Sequence, residues 1–135
     1  MEAGAFPSDM YAMETQVQLH GFKPEDAIIE IAPRDGEYTL RMEDIEKTIH
    51  QHRNSVAVVL FGGVNYYTGQ YFDVEKITTL GHKAGAVVGF DLAHAVGNKQ
   101  LKLHDWKVDF ACWCSYKYLN SGPGAVGGLY VHESH

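Results

Sequence analysis

Two stretches, Val56 to Phe61 (VAVVLF) and Ala86 to Phe90 (AVVGF), are apolar without polar alternation and rich in valine. That is the pattern of strands covered on both faces. Each follows a stretch with helical spacing. In MEDIEKTIHQHR the apolar positions are Met42, Ile45 and Ile49, three and four apart, like the stripe a helix turns toward a core. In DVEKITTLGHKAG they are Val74, Ile77 and Leu80, with Asp73 placed to cap the start and Gly81 or Gly85 to end the helix. Helix, strand, helix and strand in tandem predict a crossover-connected parallel sheet, hence an α/β fold.

Further elements follow from local signals. Ala27 to Ala32 (AIIEIA), closing against Pro33, reads as another strand. Residues 8–20 read as a helix capped by Ser8 or Asp9. Val108 to Ser115 and Gly127 to His132 read as two more strands, joined by the turn-rich NSGPGAVG. Neither repeat nor linker divides the chain, so residues 1–135 form one segment. It enters FPSD with no strand before it and stops soon after its last strand, and is expected to be part of a longer chain.

Composition narrows the partners. Lys and Arg number 11 against 17 Asp and Glu, a net charge of -6, and no basic block is present. Nucleic acid and anionic membrane are therefore not expected partners. The start lacks the basic and apolar parts of a secretory signal, and no run approaches membrane-spanning length. A cytoplasmic location is the simplest expectation. Cys112 and Cys114, two apart on a strand, point to one face and are poorly placed to bridge each other. Buried, reduced thiols are expected there.

The candidate chemistry sits at strand ends. Asp91 lies where open α/β sheets take ligands. Its carboxylate would stabilise a protonated pyridine nitrogen, or else cap a helix through LAHA. His94 shares a face with Asp91 if that stretch is helical, offering a flat partner for a ring or serving as an ordinary buried imidazole. A metal pair of Asp91 and His94 would lack a third ligand. Lys117 follows an apolar strand and precedes a Gly-rich turn. Desolvation there would lower its pKa, as an imine-forming amine requires, whereas a plain strand-end lysine would be exposed. Tyr116 adds a phenol beside it, and the turn at Ser121 to Gly124 either approaches a ligand or is only a loop. Phe6 would lie against a flat ring or serve as a core aromatic. Gly62, Gly63 and Val64 permit close backbone approach but form neither a P-loop nor a dinucleotide fingerprint. An acid, a flat partner and an amine are what pyridoxal phosphate needs.

With FPSDMYA, LFGGVNYYTGQYFD, GFDLAHAVGN, LHDWKVDFACWCSYKYLNSGPG and GGLYVH in this order, the chain resembles the kynureninases, fold type I enzymes of the aspartate-aminotransferase superfamily. The resemblance implies that residues 1–135 are the central part of the large pyridoxal-phosphate-binding domain, a mostly parallel sheet flanked by helices, with the small C-terminal domain lying outside it. It implies that Lys117 holds the cofactor covalently, that Asp91 pairs with the pyridine nitrogen, and that His94 and Tyr116 contact the cofactor. Phe6 would stack on the ring, and Pro7, Ser8 and Asp9 would line its pocket. Lys117 and Tyr116 would be the catalytic residues, and no metal is implied. Gly62 departs from the family's serine, so a cofactor hydrogen bond of about 1 kcal/mol is lost or passes to water.

The implied activity is hydrolysis of kynurenine or 3-hydroxykynurenine to alanine and anthranilate or 3-hydroxyanthranilate, in tryptophan catabolism and NAD biosynthesis, by a homodimer. The phosphate-binding and substrate-clamping residues would lie outside this segment. Another fold type I lyase or aminotransferase, or an inactive truncated module, are the alternative readings.

Overall fold

The computed structural model describes residues 1–135. Four strands form one sheet in the order β1 (Val58–Gly62), β2 (Val87–Asp91), β3 (Phe110–Trp113) and β4 (Gly128–Val131). β1, β2 and β3 run parallel, and β4 returns antiparallel to β3. The helices are α1 (Pro7–Leu19), the single turn α2 (Pro24–Ala27), α3 (Met42–Gln51) and α4 (Val74–Lys83).

The apolar spacing of α3 and α4 is used as expected. Ile45 and Ile49 of α3 and Val74 and Ile77 of α4 are buried, and they meet Val59, Phe61, Val88 and Phe90 of the strands. Asp73 caps α4, its carboxylate accepting the Lys76 N–H at 2.9 Å. Gly85, with φ of +79°, follows the helix end, whereas Gly81 lies inside α4 against Val88 and Val59. In β2 the stretch Val88 to Phe90 is buried, as expected of a covered strand, whereas burial in β1 alternates.

Three expectations are corrected. The stretch 27–32 is not a strand: Ile31 makes one isolated parallel bridge to Glu2, and Pro33 follows the stretch directly, without an N–H to extend a ladder. Neither Ser8 nor Asp9 caps α1. Phe6 is the N-cap residue and Pro7 occupies the first turn, whose fixed φ suits a helix start, so Ser8 and Asp9 already lie inside the helix. Cys112 is exposed and Cys114 half-buried, because the apolar run shrinks to the short β3, where Ala111 takes the buried position.

Close approach of the middle strands depends on Gly89. The Phe110 ring of β3 lies across it, and a Cβ there would stand 2.1 Å from the ring. At the other end of these strands the buried Asp109 accepts the Val88 N–H at 2.7 Å and pairs with His82 at 2.7 Å and His135 at 2.6 Å. Burial opposes its charge, but the Val88 N–H and the two imidazoles outweigh that and hold the carboxyl below its usual pKa. Replacing Gly89 with Ala is expected to destabilise the fold by about 1–3 kcal/mol, read as a lower urea midpoint.

Candidate functional site

The strand register places Gly62 beside Asp91 and Asp91 beside Cys112, so the ends of β1, β2 and β3 form one row. The chain leaves β2 through turns over residues 93–98 rather than a helix. Asp91 Oδ1 accepts the Ala93 N–H at 2.8 Å, so it caps this turn. The loop then folds against the segment carrying Lys117. Gly97, at φ +79°, makes that approach possible, since a Cβ there would lie 2.9 Å from the Tyr118 carbonyl oxygen. Two sequence motifs more than a strand apart are thereby joined.

α1 buries none of its residues, and its first turn meets the sheet edge. Pro7 sets the start of the helix, Phe6 stands just before it, and Asp9 reaches Asp91. Glu2, Phe6, Asp9, Gly62, Tyr66 and Asp91 line one cleft. Phe6 meets Tyr66 edge-on at 5.2 Å between centroids. Burial, the Asp91 charge, a hydrogen bond shared with Asp91 and the Glu2 charge push the Asp9 carboxyl up to about 7, against a hydrogen bond from Ser8. Two carboxyls this close do not both ionise readily, so Asp9 keeps its proton below about pH 7.

The basic side adjoins this cleft. Lys117 Nζ lies 5.9 Å from the centroid of the Phe6 ring and 5.3 Å from that of Tyr116. Burial and the Lys117 charge hold the His94 imidazole below its ordinary pKa, although Asp91 opposes them. His94 is therefore mostly neutral at pH 7, and its ring meets Tyr118 at 6.3 Å.

The structure thus brings together Phe6, Ser8, Asp9, Gly62, Asp91, His94, Tyr116 and Lys117, while Pro7 acts only through the helix start. Glu2 and Tyr66 also belong to the cleft and escape sequence reasoning. Tyr66 is separated from β1 only by Gly63, Val64 and Asn65, so its position past a strand end was the available signal. Glu2 stands in no periodic pattern and has none.

The donor set fits a flat cationic ring bearing an aldehyde. A carboxyl pair short of positive charge stands on one side, a primary amine on the other, with the Phe6 ring near both. A buried Glu2 oxygen without a hydrogen-bond partner adds to the unmet demand for a donor.

Residues 17–135 match the family model described as Aminotransferase class-V. The chain is 59% identical to the kynureninase of Dictyostelium discoideum over 135 residues, 62% to that of Nematostella vectensis and 58% to that of Homo sapiens, each match covering all of this chain. It spans 30% of the first relative's length and 29% of each of the other two. Among solved structures it is similar to a cystine C–S lyase in complex with cysteine persulfide (TM-score 0.80, 17% identity, 98% of this chain and 34% of that one). It is also similar to a cysteine desulfurase from Thermococcus onnurineus NA1 (TM-score 0.76, 24% identity, 94% of this chain and 29% of that one). These structures share its fold.

The raised Asp9 gives a testable pH dependence. The folded state holds this proton more tightly than the unfolded chain, whose value is near 3.8, so stability from this group falls as pH rises from about 4 to about 7. Asp9→Asn should remove that fall. Thermal melts across the range should show the variant gaining on the parent until about pH 7 and holding its gain above it.

Proposed function

The chain belongs to the aminotransferase class-V family, and from that premise we propose that it is the cofactor-holding part of a kynureninase using pyridoxal phosphate. The observation that carries this reading is the meeting of Lys117 with Phe6, and of Asp91 with Asp9, at one sheet edge, in a chain whose length matches kynureninases throughout at 58–63% identity.

When bound, pyridoxal phosphate supplies an electron sink for bonds at the substrate's α and β carbons. The residues would divide the remaining work. Asp91, fixed by the Ala93 N–H, would hold the proton on the ring nitrogen, because each charge stabilises the other where water is scarce. Asp9 would relinquish its own proton as that positive charge arrives. Phe6 would cover the ring face and exclude water. Lys117 would hold the cofactor through its amine and, once freed, carry the substrate's α proton at Nζ. Tyr116, beside Lys117, would pass a proton during attack of water on the γ ketone. His94, kept mostly neutral, would lie against the cofactor without adding charge.

The products would be alanine and anthranilate, or 3-hydroxyanthranilate from the 3-hydroxy substrate. The intact protein would act as a homodimer in the cytoplasm, within tryptophan catabolism and NAD biosynthesis. The acidic balance of -6 supports a small-molecule role over a nucleic acid or membrane one.

Borohydride reduction of the intact, cofactor-loaded protein followed by peptide mapping should place the pyridoxyl label on Lys117; a label on another lysine defeats the assignment. Asp91→Asn should keep the fold and lower kcat with kynurenine at least about a hundredfold. Unchanged formation of alanine and anthranilate by that variant would remove Asp91 from the mechanism.

A further inference from the structure

Glu2 is the most enclosed carboxylate of the chain, 4% exposed. Its Oε1 accepts the Gly62 N–H at 2.9 Å, and its Oε2 is buried without any partner. Backbone bonds on either side, from Ile31 N–H to Met1 and from Ala3 N–H to Ile31, hold it in place at 2.9 and 2.8 Å. A Cβ at Gly62 would stand 3.1 Å from Oε1, so the Glu2 carboxyl fills the space that a side chain at the end of β1 would take. The same cleft contains Asp9 and Asp91.

Burying a carboxyl with half its acceptor capacity unused is costly. Tying down one backbone N–H does not require that cost, since an amide oxygen would accept the same bond. The buried acid therefore needs its own explanation, and the neighbouring acids supply one.

We propose that Glu2 is a positioning residue for the Asp9–Asp91 pair: its carboxyl fixes the end of β1 through Gly62 and, as a third acid in the same cleft, favours a proton on Asp9 and a cation beside the pair. Only the identity of that cation rests on the kynureninase reading. The titratable groups facing Glu2 are Asp9 of α1 and Asp91 of β2. Burial raises the Glu2 carboxyl and Asp91 adds to this, while the Gly62 N–H opposes them. Cys112 of β3 is exposed as a residue, but partial enclosure of its thiol against the cleft, with the charges of Asp91 and Asp9, raises its pKa, so it stays neutral beside them. Glu2 in turn contributes to holding the Asp9 proton.

The test uses the intact protein without cofactor, followed by infrared difference spectroscopy against pH with carboxyl-labelled aspartate or glutamate. A protonated-carboxyl band should be lost near pH 7 and should move with the aspartate label. In Glu2→Gln, whose amide still accepts from Gly62, the step should shift down by about one pH unit. An unchanged step in folded Glu2→Gln marks a purely structural clasp and overturns the proposal. So does a step in the parent that follows the glutamate label, a measurement that stands even if the variant does not fold. Neither outcome depends on cofactor chemistry, which the Lys117 labelling decides separately.

Discussion

The position of β2 between β1 and β3 is the constraint on which the rest depends. Val88 and Phe90 are fully buried, and the Gly89 backbone passes under the Phe110 ring. Because side chains alternate along a strand, a slip of one residue would turn Asp91 to the opposite face and bring core residues to the surface. Asp109 secures the opposite end of the pairing by binding the Val88 N–H. The register that results puts Gly62 and Asp91 side by side, so packing at one end of the strands decides which acid meets which loop at the other. A change at Gly89, remote from any reacting atom, therefore acts on the site through register as well as through stability.

How much of this the sequence reveals depends on the range of the interaction. The stripes of α3 and α4 and the apolar cores of β1 and β2 are local patterns, and each predicts its element. AIIEIA carries the same kind of apolar signal but makes a single bridge, from Ile31 to Glu2, and strand structure requires a paired neighbour as well as a propensity. Ser8 and Asp9 have capping side chains, yet Pro7 begins the helix ahead of them. For the site, Asp91, His94 and Lys117 are legible because they follow predicted strands. Their approach to one another relies on Gly97 resting against the Tyr118 backbone, and the approach of Asp9 to Asp91 on where α1 docks. Neither contact leaves a mark in local spacing. The burial of Glu2 is a contact across the fold, between the start of the chain and the end of β1.

These long-range meetings also set the electrostatic character of the site. A protein gains nothing in stability by crowding Glu2, Asp9 and Asp91 together, and burial makes their mutual repulsion more costly. A proton on Asp9 relieves part of that cost. A bound cation relieves it more fully, because it neutralises the charge on Asp91 directly and frees the proton to leave. The same repulsion thus favours a cationic ligand, while burial and the Lys117 charge, which depress His94, keep a second cation from forming beside it. Acid is concentrated at the end of β2 and a single fixed positive charge beyond it. An anionic group entering on the acidic side would be repelled, so the arrangement selects the orientation of a ring that is positive at one end and reacts with an amine at the other.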